Sequence, residues 1–100
     1  MNILEWLKEW YKSNCNGDWE HNYGITIENV DNPGWYINID LWDTELENKP
    51  FDEVQIHHNE QDWLFCRVEN NKFMASGDPD KLIKILEIFR NWQEANDEEN

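Results

Sequence analysis

The chain reads as an α+β domain: an antiparallel meander sheet of about five strands with an N-terminal and a C-terminal helix packed on it. Three observations lead there. Apolar residues recur at helical spacing only near the two ends. Between them lie short segments that alternate apolar and polar residues and are separated by Asn, Asp, Gly and Pro clusters. The length, 100 residues, accommodates a single domain over 1–100, with an acidic tail from Glu94 to Asn100 expected to fray.

Each element has its own local reason. Residues 2–13 carry Ile3, Leu4, Leu7, Trp10 and Tyr11 on one stripe, and Asn2 is placed to cap the start. Asn14, Asn16 and Gly17 stop this helix. A strand follows over 21–29, where Tyr23, Ile25 and Ile27 alternate with Gly24, Thr26 and Glu28. Asp31-Asn32-Pro33-Gly34 is a turn, because proline sets φ and glycine accepts conformations closed to other residues.

The strand over 35–42 places Trp35, Ile37, Ile39 and Leu41 on a core face, with Tyr36, Asn38, Asp40 and Trp42 opposite. Asp43–Pro50 is a polar loop. Further strands are expected over 52–58, 62–69 and 72–76, with turns at 59–61 and 69–71. In the fourth strand Leu64, Cys66 and Val68 oppose Trp63, Phe65 and Arg67; both sides hold apolar groups, so the pattern leaves the buried side open. The last helix spans 79–94, with Asp78 as N-cap, Pro79 in the first helical position and a stripe of Leu82, Ile85, Leu86, Phe89 and Trp92, widened by Ile83 and Ile88.

Charge is the outlying property. There are 22 acidic and 8 basic residues, a formal net charge of −14, and seven tryptophans. Such a field repels nucleic acid and anionic lipid and attracts basic proteins. From Ser13 to Asn48 there is no lysine or arginine, while eight carboxylates and three tryptophans occur. No stretch is apolar enough to span a bilayer. Met1–Trp6 lacks the basic and apolar run of a secretory signal, so the expected setting is the cytoplasm, with Cys15 and Cys66 reduced.

The densest polar group is Asp18-Trp19-Glu20-His21. Carboxylate and imidazole both ligate metals, but neighbours on an extended chain point to opposite faces and do not converge without a tight turn. A local structural role or a partner contact therefore outranks a metal-dependent hydrolase built on Asp18, Glu20 and His21. His57-His58 makes a poor chelate for the same reason. Cys15 lies in an acidic field that disfavours its thiolate. The four glycines are dispersed, which excludes a phosphate-binding loop; no cofactor and no catalytic set is expected.

What remains is an acidic surface with aromatic anchors, the composition of a protein interface aimed at a basic partner. The residues expected to touch that partner are Asp40, Trp42, Asp43, Glu45 and Glu47, with Asp18, Glu20 and His21 in support. A nucleic-acid mimic that occupies DNA-binding proteins is the alternative binding role.

Several runs resemble the immunity protein 53 family: Trp6-Leu7-x-x-Trp10-Tyr11, Cys15-Asn16-Gly17-Asp18-Trp19-Glu20-His21-Asn22-Tyr23-Gly24-Ile25, Asp31-Asn32-Pro33-Gly34-Trp35 and Asp62-Trp63-x-Phe65-Cys66. The Gly-Asp-Trp-Glu-His-x-Tyr-Gly run is the specific part. The resemblance implies a cytoplasmic antidote of a bacterial polymorphic toxin system, which binds the toxic domain of a cognate effector; a monomer is the favoured state, on no residue-level ground. It marks Asp18, Trp19, Glu20, His21, Tyr23, Gly24, Asp31, Pro33, Gly34 and Trp35 as motif positions.

Overall fold

The computed structural model describes residues 1–97. Helix α1 spans Ile3–Asn14, α2 Trp19–Asn22 and α3 Leu82–Asp97; the strands are β1 Ile25–Val30, β2 Gly34–Asp40, β3 Val54–Asn59, β4 Asp62–Glu69 and β5 Lys72–Gly77. The α+β class and the antiparallel five-stranded sheet are as the sequence predicts. The sheet order is β1-β2-β5-β4-β3. Two hairpin runs, β1–β2 and β3–β4–β5, each meander, and they join where β2 pairs with β5, Ile37 opposite Ala75 and Asp40 opposite Lys72. The last strand therefore lies at the centre, and the long β2–β3 connection crosses one end of the sheet.

Helices α1 and α3 contribute to one core on one side of the sheet. The sheet supplies Ile37, Ile39, Leu64, Cys66, Phe73 and Ala75; α1 supplies Ile3, Leu7 and Trp10; α3 supplies Ile85, Leu86 and Phe89. This settles β4: Leu64 and Cys66 face the helices, while Trp63, Phe65 and Arg67 line the open face, with the Arg67 guanidinium 5.6 Å from the Phe65 ring centre. Phe89 joins the layers, its ring 5.0 Å from Trp10 and 5.1 Å from Phe73. Such edge-on and tilted pairs add to the burial of their area.

The expected Asn2 cap forms, with the Glu5 N–H donating to Asn2 Oδ1 at 2.9 Å. Several boundaries differ from expectation. The segment expected to be extended from His21 opens with the last two residues of α2, and β1 begins only at Ile25. The start of α2 folds because Asn16 Oδ1 accepts the N–H groups of both Asp18 and Trp19, and Glu20 accepts those of Asn16 and Gly17. The last helix begins at Leu82 rather than Pro79. Asp78 is fully buried and does not cap it: Oδ2 accepts the Trp63 N–H and the Lys81 ammonium, and Oδ1 the Asp80 N–H. Burial alone would push this carboxyl up; the Lys81 ammonium and the Trp63 and Asp80 amides outweigh it and hold it below the usual range.

At the other end, α3 continues to Asp97, three residues past the expected end at Glu94; the rest of the acidic tail, 98–100, lies outside the described residues. Gly34 follows the cis Asn32–Pro33 peptide and lies so close to the Gly77 carbonyl oxygen that any Cβ there would collide with it.

Candidate functional site

Within the base-free stretch, the loops on either side of the β1–β2 hairpin meet at one end of the molecule, and Trp19 holds them together. Its ring is buried, 2% exposed, among Trp10, Tyr11 and Tyr23, with centroids 6.3, 5.8 and 6.2 Å away. Its indole N–H donates to the Trp42 carbonyl at 2.8 Å, tying the α2 loop to the β2–β3 connection. A second tie lies beside it, where the Gly24 N–H donates to Asp40 Oδ2 at 2.9 Å and the Asp40 N–H to the Gly24 carbonyl at 3.0 Å.

The β2–β3 connection is ordered by its own short polar side chains. Thr44 Oγ1 donates to the Leu41 carbonyl and accepts the Leu46 N–H, and Glu47 Oε1 accepts the Asp43 N–H at 2.9 Å. Asp43 and Asn48 both have φ of 60°, a conformation that Asp and Asn tolerate. Leu46 is fully buried and anchors the loop to the core. Asn48 and Asn71 bond reciprocally, at 2.7 and 3.1 Å, and close it against the β4–β5 turn.

The eight residues expected to touch a partner thus come to one region, but they divide by environment. Glu45 turns inward: its Oε1 accepts the Trp10 indole N–H at 2.7 Å and the Gln93 amide at 2.8 Å, joining the loop to both long helices. Asp40 is half-buried, bonded to Gly24 and 3.5 Å from the Lys72 ammonium. Glu20 folds back on its own loop. Its backbone N–H lowers its carboxyl below the usual range against partial burial, with the Asn16 and Gly17 amides and the His21 charge adding to the effect.

Asp18, His21, Trp42 and Asp43 are exposed, Trp42 by 39%. Glu47 is half-buried, with one oxygen engaged. Asp18, Glu20 and His21 do not form a ligand set, and among the described residues no group of three or more His, Cys, Asp or Glu side chains is placed to hold a metal ion. Likewise, no described helix is long and apolar enough to cross a membrane.

The family model described as immunity protein 53 matches residues 4–94, from α1 into α3. The chain belongs to the immunity protein 53 family. Its coarse function follows: an immunity protein binds and neutralises a cognate toxin protein. No curated protein and no solved structure matches it.

For this immunity protein, sequence reasoning missed the inward residues that shape the surface: Trp10 and Gln93 as donors to Glu45, and Asp78 under the β4–β5 end. The signal for Trp10 was present, since a buried indole N–H requires an acceptor; nothing local identified which carboxylate supplies it. Trp19 was visible as a motif position, and the structure gives that position its reason.

Proposed function

We propose that this immunity protein neutralises the basic toxic domain of a bacterial polymorphic toxin system, acting in the cytoplasm as a monomeric, non-enzymatic inhibitor. Its contact surface is the end where Asp18, His21, Trp42 and Asp43 are exposed and Glu47 is half-exposed, and the Trp19–Trp42 bond is the observation that carries the reading, because it brings the carboxylates of two loops to one side. Trp42 supplies the aromatic anchor and the carboxylates the steering field. A nuclease is the favoured target class: a domain that holds a polyanionic substrate is itself basic, and a protein of net charge −14 complements it. Glu45, Glu20 and Asp40 support this surface from within.

The test is co-expression with the toxic domain encoded in the neighbouring reading frame. The expected results are restored growth, a one-to-one complex, and association that slows with rising salt. Asp18→Asn, Asp43→Asn and Glu47→Gln together should slow association about tenfold at low salt and flatten its salt dependence. An association rate indifferent to salt and to these changes overturns the electrostatic reading. Equal capture of several unrelated basic proteins would point instead to a nucleic-acid mimic.

A further inference from the structure

We infer that the free edge of β1, with the groove between β1 and α1, takes an extended segment of alternating apolar and basic residues from the toxin domain, paired as an added strand. The inference rests on the toxin-binding reading above and adds a mode of binding to it.

β1 is one edge of the sheet. The Asp40 N–H bonds the Gly24 carbonyl, and the register runs through Thr26 opposite Asn38 and Glu28 opposite Tyr36. Antiparallel pairing alternates, so Thr26 and Glu28 direct their backbone groups to β2, while Ile25, Ile27 and Asn29 direct theirs to the open edge. The other edge, β3, is interrupted by a register shift between His57 and Asn59. β1 has no such irregularity, and neither lysine nor proline, the usual guards of an edge.

The side chains define what fits. Ile25 and Ile27 lie opposite Ile39 and Ile37, on the helix side, and Ile27 is 38% exposed. Next to them is a groove of about 450 Å³ lined by Leu4, Leu7, Lys8, Tyr11, Gly24 and Ile25. Leu4 is 58% exposed on its wall. An incoming strand would place every second side chain into this apolar groove. The intervening ones would lie on the open face beside Glu28, where a basic residue makes the favourable cross-strand pair.

The groove reaches the acidic loops through Tyr11, packed on Trp19, and through Gly24, bonded to Asp40. Strand and loops therefore form one continuous surface. A second copy of the chain is disfavoured as occupant, because each copy carries −14 and brings Glu28 to the same edge.

The experiment titrates isotope-labelled protein with a short blocked peptide of alternating lysine and valine, and with the same peptide N-methylated at the valines. Charge is equal in the two, but the second lacks the N–H groups that pair. The expected result is shifted, exchange-protected amides at Ile25, Ile27 and Asn29, with binding about tenfold weaker for the N-methylated peptide and weaker for Glu28→Lys, an exposed site where the fold is retained. Equal response to both peptides, or shifts confined to the Asp18–His21 and Trp42–Glu47 loops, overturns the strand. Protection of these amides without peptide, accompanied by a dimer in sedimentation, assigns the edge to a second copy and overturns it also. In co-expression, rescue by the wild type and equally by a Leu4→Lys/Glu28→Lys variant refutes the edge alone. Absence of rescue by the wild type refutes the toxin reading itself, and the occupant with it.

Discussion

Glu45 separates a carboxylate that builds the surface from one that meets a partner. Its Oε1 accepts from the Trp10 indole and the Gln93 amide, both on buried side chains. Glu45→Ala would leave both donors unpaired. Hydrogen bonds to an ionised acceptor contribute about 1.5–3 kcal/mol each, and the partial exposure of Glu45 reduces that, so the expected loss is about 2–3 kcal/mol in total. This is a large share of the roughly 5–15 kcal/mol that holds a domain together.

With a urea slope of about 1.5 kcal/mol/M, the unfolding midpoint falls by about 1.3–2 M, read from tryptophan fluorescence. Glu45→Gln keeps one acceptor oxygen for both donors, loses the charge and puts an NH2 group in place of the second oxygen, so it should cost about 1 kcal/mol. Neither change should slow toxin association as the Asp18, Asp43 and Glu47 set does. A Glu45→Ala midpoint within about 0.3 M of the wild type, or an association rate that falls as far as in the triple variant, would refute the division between inward and outward carboxylates.

Asp78 has a lowered folded-state value, so its contribution is present above the ordinary carboxyl value of about 3.9 and is lost as pH falls below it; the stability gap between wild type and Asp78→Asn should be constant near neutrality and close below about pH 4. A gap that stays open at acid pH would contradict this. Burial pushes the Cys66 thiol up to about 12, so at about pH 8 a disulfide reagent should label Cys15 first and reach Cys66 only on unfolding; prompt labelling of both in the native protein would contradict its burial. Gly34→Ala forces a Cβ into the Gly77 carbonyl and should cost about 1–3 kcal/mol, a thermal midpoint lower by several degrees in a calorimetric scan; an unchanged midpoint would show that β2 and β5 can separate there without cost.

The proposed surface is also a folding device. Trp19 and Glu45 connect segments far apart in sequence, 23 residues in one case and 35 and 48 in the other. An acidic loop left loose would repel itself. Three carboxylates engaged within the fold, at Glu20, Asp40 and Glu45, fix the backbone on which Asp18, Asp43 and Glu47 are displayed. Charge density and order are in this way supplied by the same stretch of chain.

The sequence by itself determined what depends on neighbours a few residues away: the two terminal helices, the Asn2 cap, the Asp31–Gly34 turn, the alternating strands and the concentration of acid between Ser13 and Asn48. Periodicity, capping and turn chemistry act over one or two turns of chain, so they are legible in a local run of residues. Tertiary structure alone decided the rest. It put β5 between β2 and β4, turned Leu64 and Cys66 inward, drew Asp78 under the sheet end instead of onto the last helix, and left the β1 edge open. It also chose which acids face solvent. Asp43 and Glu45 are two residues apart in the same polar loop; only the arrival of Trp10 and Gln93 from distant helices gives Glu45 an internal partner and leaves Asp43 outside.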